Sequence, residues 1–255
     1  MKAAEVPAYT LPEPTEARTD QSRTLTACIF DVDGVLLASP HEQAWREALV
    51  GLVEPSRFTT EMYQAQVAGK PRLAGARSAL DALGVKDAAG RTAGYAERKQ
   101  TRLEELIAAG TVSAFPDALR FLRAVRAMGW RMAVASSSKN ANGMMRSIRF
   151  DSGEGLLDIF DVNVCGRDLR HGKPDPEIFL IAASALHIEP AQCLVVEDAP
   201  AGVAAARAGR MAALGVARHG DAALLRAAEA DLVVTSLDDV AIDALPHGRL
   251  RGRPT

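Results

Sequence analysis

Two aspartates one residue apart, Asp31 and Asp33, close an apolar run that starts near Thr26, and Gly34 follows them at once. On an extended backbone the side chains at i and i+2 point the same way, so both carboxylates can share one site. Two carboxylates held that close repel each other unless a cation or a shared proton lies between them. The same residues also suit an ordinary Asp-x-Asp-Gly turn, so the pair needs further groups before it implies chemistry.

Three other stretches supply them. Ser136 ends a second apolar run and opens Ser136-Ser137-Ser138-Lys139-Asn140, Lys173 stands just before Pro174-Asp175-Pro176, and Glu197 and Asp198 end the run from Cys193 to Val196. Brought to one edge, Asp31, Asp33, Glu197 and Asp198 would repel prohibitively without a cation. A hard, oxygen-seeking ion such as Mg²⁺ takes one or two carboxylates together with water and substrate phosphate oxygens. Lys173 adds a point positive charge and Ser136 a hydroxyl donor. Together these groups describe a site for a phosphate dianion.

The elements that must position them follow from apolar periodicity. The run from Thr26 to the aspartates, Arg131 to Ala135, Asp161 to Cys165, Cys193 to Val196, Met211 to Leu214 and Asp231 to Val234 read as buried strands. Helical patterns alternate with them: Pro116 to Met128, a segment capped by Asp175 with Pro176 at its first position, and a helix around 221–228. That alternation implies an α/β fold, a doubly wound, mostly parallel sheet with helices on both faces. Ligands of such sheets bind at the carboxyl ends of the strands, where three of the polar stretches fall, with Lys173 just before a capped helix between them. Between the first strand and the rest, residues 40–112 show helical spacing and no convincing strand. A helix from His41 to Val53 and a clear one from about Ala93 to Ala109 stand out, so an inserted all-helical domain is expected. The α/β core then comprises 25–39 and 113–248, with a flexible tail at 1–24 and a short polar tail at 249–255.

Composition narrows the function. With 255 residues, 32 acidic and 30 basic side chains and a net charge of −2, the chain has no basic excess for nucleic acid. Aromatic residues are 5% of the chain, too few for a base-stacking surface. No stretch is apolar enough to span a bilayer or act as a secretory signal, so a cytoplasmic protein and a monomer without membrane or nucleic-acid partners are expected. Cys28, Cys165 and Cys193 sit in apolar, strand-like runs without a CxxC pair, and read as buried free thiols.

In order and spacing, the four polar stretches resemble the motifs of the haloacid dehalogenase superfamily of phosphotransferases, over residues 25 to 245. The resemblance implies that Asp31 is the nucleophile that becomes an aspartyl-phosphate and that Asp33 is the general acid and base. It implies that Ser136 and Lys173 hold the transferring phosphoryl group. Mg²⁺ would be held by Asp31, Asp198 with Glu197 beside it, and the backbone carbonyl of Asp33. A second aspartate at position 33 disfavours dehalogenases and phosphonatases, which have no alkoxide to protonate.

Within the superfamily the chain is similar to the β-phosphoglucomutase-like group, and the helical insertion resembles that group's cap. Ser138, Lys139 and Asn140 resemble the loop that holds the phosphate not being transferred. Arg72, in Gly69-Lys70-Pro71-Arg72, resembles a phosphate-binding arginine of the cap, Lys99 its substrate-contacting lysine, and His41 the hinge histidine. Two phosphate sites imply a phosphosugar mutase, and one implies a phosphatase of a sugar phosphate or a similar small phosphomonoester. A partner-binding module with a retired site is the non-enzymatic alternative, opposed by the intact Asp31, Asp33, Lys173 and Asp198.

Overall fold

A computed structural model describes residues 24–253. The expected tail at 1–24 therefore lies outside the described residues except for Thr24. Strand β1 (Ala27–Phe30) is buried at every residue. Its alternate side chains feed two cores. Cys28 and Phe30 point to the face that holds Phe121, Leu122 and Val125, and Ala27 and Ile29 to the face that holds Phe179, Ala182 and Val203. Phe30 meets Phe121 and Phe160 edge-on, with ring centroids 6.1 and 6.0 Å away. Burying one such side chain fully contributes about 1.5–3 kcal/mol, so β1 anchors both layers.

Two short strands, β2 (Leu37–Ala38) and β3 (Ser113–Ala114), come next in chain order and pair antiparallel. They are followed by β4 (Arg131–Val134), β5 (Val162–Asn163), β6 (Cys193–Glu197), β7 (Ala212–Val216) and β8 (Leu232–Val234). Apart from β2 and β3, the strands form one parallel sheet in the order β5-β4-β1-β6-β7-β8. The strand order reverses at β1, which lies between β4 and β6. The crevice of an open α/β sheet opens at such a point. Asp31 follows β1, Ser136 follows β4, and Glu197 ends β6, so three neighbouring strands deliver the polar groups to one edge.

The helices are α1 (His41–Glu47), α2 (Thr60–Gln66), α3 (Arg72–Ala82), α4 (Ala88–Ala108), α5 (Pro116–Ala127), α6 (Ala141–Arg146), α7 (Glu177–Leu186), α8 (Pro200–Ala208) and α9 (Ala222–Ala227). Helices α1 to α4 share an apolar cluster of their own, built on Trp45, Leu49, Phe58, Leu80 and Tyr95. The Tyr95 hydroxyl donates to the Trp45 carbonyl at 2.9 Å, which satisfies the one polar atom of that ring inside the cluster. The β2–β3 ribbon joins the two ends of this helical segment, pairing Leu37 with Ala114 and Ala38 with Ser113.

The structure differs from the sequence reading in detail. Helix α1 stops at Glu47 and continues as turns, where a helix to Val53 is expected. Helix α4 starts at Ala88 rather than Ala93, because Asp87 caps it through a hydrogen bond from the Gly90 amide at 3.2 Å. Helix α7 starts at Glu177, one residue after the expected Pro176, and Asp175 still accepts the Glu177 amide at 2.9 Å. Residues 249–253 do not form a free tail. Arg251 accepts the Ala241 amide at 3.0 Å, and the Arg253 amide donates to Asp239 at 2.6 Å. All three cysteines are buried and free. Among the described residues no helix is long and apolar enough to cross a membrane.

Candidate active site

Between the carboxyl edge of the sheet and the helical layer lies a cavity of about 800 Å³. Its core wall carries Asp31, Asp33 and Asp198, with Ser136, Ser138, Lys139 and Asn140 from the loop after β4. Its helical wall carries His41, Arg72 and Lys99. Lys173 and Glu197 lie behind that surface rather than on it. The Lys173 ammonium is buried against Asp31 Oδ1 and Glu197 Oε1, each at 2.5 Å, and sits 4.9 Å from the centre of the Phe179 ring. Burial alone would lower the Lys173 pKa, but the charges of Asp31 and Glu197 raise it above its ordinary value. It therefore stays an ammonium.

Glu197 is not free to bind a metal, contrary to the sequence reading. Lys173 takes Oε1, and the amides of Asp198 and Ala199 both donate to Oε2 at 3.1 Å. Its geometry makes it a holder of Lys173 and of the turn that carries Asp198. Asp198 instead faces the cavity, close against Gly34. A Cβ on Gly34, whose φ is +77°, would fall 1.8 Å from Asp198 Oδ2. Only glycine fits that backbone and that approach, so the turn after Asp33 admits the carboxylate from β6.

The carboxylates here titrate abnormally. Burial, then the charges of Glu197, Asp31 and Asp33, push Asp198 well above the ordinary carboxylate range. Burial raises Asp31 against the opposing charge of Lys173, and burial raises Asp33 as well. Asp31, Asp33 and Asp198 thus face one cavity with a single ammonium behind them, and that ammonium also serves Glu197. An all-oxygen, excess-negative donor set of this kind fits a hard divalent cation such as Mg²⁺, and Asp31 and Asp198 are the side chains that would hold it.

His41 heads α1 and bridges the two walls. Lys99 Nζ approaches its Nδ1 at 3.1 Å, while its Nε2 lies 3.4 Å from Ser138 Oγ and 3.5 Å from Asp33 Oδ1. An ammonium has only donors, so Nδ1 is the acceptor and Nε2 carries the proton. Burial, with the positive charges of Lys99 and Arg72, lowers the His41 pKa well below its usual value and keeps the ring neutral. Lys99 is 3% exposed, lies 4.9 Å from the centre of the Trp45 ring, and is lowered to about 8, chiefly by burial.

In the loop after β4, the Ser138 amide donates to Ser136 Oγ at 3.0 Å and the Asn140 amide to Ser138 Oγ at 3.3 Å. The Asn140 side chain accepts from Gln100 of α4 at 3.2 Å. Lys139 departs from the expected arrangement. Its ammonium pairs with Asp168 at 2.9 Å and its side chain is 61% exposed, at the rim rather than inside.

Arg218, after β7, has no signal in the sequence. Its guanidinium pairs with Asp117 at 2.7 Å, donates to the Gly34 and Val35 carbonyls at 3.2 and 3.4 Å, and lies 4.1 Å from the centre of the Phe115 ring. It ties the turn after Asp33 to the chain leaving β3. No spacing rule links residues 34, 117 and 218; only the fold brings them together. Tyr63 and Gln64 of α2 also line the cavity, and helical periodicity alone did not mark them as site residues.

A family model of haloacid dehalogenase-like hydrolases matches residues 25–210. A β-phosphoglucomutase of Mycobacterium bovis is 36% identical over 243 residues, covering 84% of this chain and 90% of that protein. A phosphorylated carbohydrates phosphatase of Thermotoga maritima is 30% identical over 186 residues, covering 72% and 81%. Among solved structures, an archaeal β-phosphoglucomutase from Pyrococcus sp. strain ST 04 superposes with a TM-score of 0.68 at 32% identity, covering 86% of this chain and 96% of that one.

Proposed function

Because this chain belongs to the haloacid dehalogenase-like hydrolases, in their β-phosphoglucomutase-like group, we propose that it is a Mg²⁺-dependent phosphosugar mutase working through an aspartyl-phosphate at Asp31. Residues 40–112 are its cap and the β2–β3 ribbon its hinge. Asp31 attacks phosphorus in line, a P–O bond forms to its carboxylate, and the bond to the leaving sugar oxygen breaks. Asp33 donates a proton to that oxygen. Burial raises its pKa above the ordinary value, the direction a general acid needs, and the Nε2–H of neutral His41 faces it at 3.5 Å. Lys173, fixed on Asp31, limits the repulsion between nucleophile and phosphate. Bound by Asp31 and Asp198, Mg²⁺ would neutralise charge on the phosphoryl oxygens. In the other half-reaction the phosphorylated Asp31 gives its group to a free hydroxyl of a sugar monophosphate, Asp33 taking that hydroxyl's proton, and the bisphosphate so formed turns round to present its other phosphate to Asp31.

The observation that carries the mutase over the phosphatase is the second cationic place in the cavity. Arg72 and Lys99 line the helical wall of the cavity, and the charge of Arg72 is felt at both Lys99 and His41. A bisphosphate that turns round between half-reactions needs such a place for the phosphate not reacting. Lys139 supports the other reading, hydrolysis of a sugar phosphate, since its ammonium is held by Asp168 at the cavity rim. The experiment is a panel of sugar phosphates with Mg²⁺, followed for both isomerised sugar phosphate and free phosphate, with Arg72→Ala beside the wild type. Loss of a charge-assisted contact of about 2–3 kcal/mol lowers kcat/KM about thirty- to over a hundredfold for a bisphosphosugar, while hydrolysis of a small monophosphate barely changes. Equal losses on both, or none, leave the phosphatase in place.

A further inference from the structure

The chain leaves the core for the helical layer through residues 34–39 and returns through 113–117, and one core side chain holds both passages. Arg218 follows β7, and its side chain is 9% exposed. On the outgoing passage its Nε donates to the Gly34 carbonyl at 3.2 Å and its Nη2 to the Val35 carbonyl at 3.4 Å. Among the described residues no backbone amide of a turn or loop donates to either carbonyl. On the returning passage Nη1 and Nη2 meet the two oxygens of Asp117 at 2.7 and 3.2 Å, and the guanidinium lies over the Phe115 ring. Asp117 is fixed in turn from behind, where the Leu237 amide and the Ser236 hydroxyl donate to its Oδ2 at 2.8 and 3.1 Å. Arg218 lines the cavity, yet these four hydrogen bonds leave its guanidinium little to offer a phosphate.

We propose that Arg218 is a positioning residue for the general acid, setting the place of the turn after Asp33 and so the reach of the Asp33 carboxyl to the leaving oxygen. This rests on the reading of Asp33 given above. The turn has short-range bonds of its own: the Leu36 and Leu37 amides donate to the Val32 carbonyl and the Gly34 amide to the Leu37 carbonyl, each at 2.9 Å. Those bonds fix its shape. Its place is fixed from outside, by Arg218 at the two residues that follow Asp33 and by Asp198 packed against Gly34. A proton is transferred only within hydrogen-bond reach, and a misplacement of about 1 Å can cost about a hundredfold. Lysine is no substitute, because a point charge lacks the planar fork that meets Asp117 and both carbonyls at once.

Arg218→Ala would strand the buried charge of Asp117. The variants are therefore Arg218→Lys, which keeps a cation beside Asp117, and Arg218→Met combined with Asp117→Asn, which removes both charges. The substrates are acetyl phosphate, a sugar phosphate, and aryl phosphates of one size whose phenols differ in acidity. Acetate and an acidic phenolate leave without a proton. A weakly acidic phenol or a sugar hydroxyl takes one from Asp33 as its bond to phosphorus breaks and the bond from Asp31 forms. Both variants should keep acetyl phosphate turnover within about twofold and lose about tenfold to a hundredfold in kcat on the sugar phosphate. Along the aryl series the loss should grow as the phenol becomes less acidic, and Asp33→Asn should show the steepest growth. A uniform loss on all substrates, or a wild-type dependence on phenol acidity in both variants, overturns the role of Arg218. If Asp33→Asn itself shows no growing loss, the general-acid reading of Asp33 falls, and the positioning role with it.

Discussion

Lys99 combines a cavity position with a pKa lowered to about 8, first by burial, against the pull of Asp33 and with the push of Arg72. Its charge is therefore lost within an accessible pH range. If it holds a substrate phosphate, KM for a bisphosphosugar should rise about tenfold per unit once the pH passes about 8. Lys99→Arg, which stays charged, should flatten that rise, and an unchanged profile in Lys99→Arg would exclude Lys99 as the titrating group. Stability moves the other way. An unfolded lysine titrates near 10.4, so between about 8 and 10.4 the folded state binds fewer protons than the unfolded chain. The cost of burying the charged Lys99 is full below about 8 and is relieved as the pH climbs through that window. Asp31 and Asp33 were legible because a strand puts i and i+2 on one side, Asp198 because it follows a strand end, and Lys173 because it stands just before a capped helix. The holding of Lys173 by Glu197 was not legible. Glu197 and Asp198 are adjacent acids, and only the backbone turn that bonds Glu197 Oε2 tells one from the other.

At the scale of elements, the helical layer touches the core through the loop before α3. Gly69 lies against Ala199, where a Cβ would come within 3.1 Å, and Pro71 lies against Gly172, where a Cβ would fall 1.9 Å from the proline Cγ. Gly172 immediately precedes Lys173, and Pro71 immediately precedes Arg72, so one contact registers the two charged walls. Gly172→Ala should force the loop away and lower kcat/KM for a sugar phosphate about tenfold or more, while acetyl phosphate, which needs no closed wall, is spared. Pro71→Ala, which removes the ring atoms in the way, should restore much of the loss. Full activity in Gly172→Ala, or no rescue by Pro71→Ala, would show that the contact does not set the geometry. Sequence periodicity found β1, β4 and β6 through continuous apolar runs. It missed β2 and β3, because two-residue strands have no period to read. It also placed the start of α4 too late, since the Asp87 cap lies upstream of the apolar stripe.

At the scale of the whole molecule, a sheet and a helical layer hold opposite charges across one cavity: Asp31, Asp33 and Asp198 on one wall, Arg72 and Lys99 on the other. The alternation of strands and helices made the α/β class legible, and the strand order put β1 where its two aspartates matter. The size of the cavity was not legible, because it depends on how two layers meet. In the proposed mechanism Asp31 accepts the phosphoryl group. That step is tested most directly by incubating the protein with acetyl phosphate and Mg²⁺, quenching in acid, and locating any added phosphoryl group by mass spectrometry and peptide mapping. One phosphoryl group is expected on the peptide containing Asp31, absent in Asp31→Asn and absent when Mg²⁺ is chelated. A phosphoryl group on another residue, or turnover in Asp31→Asn above about a tenth of wild type, would contradict it.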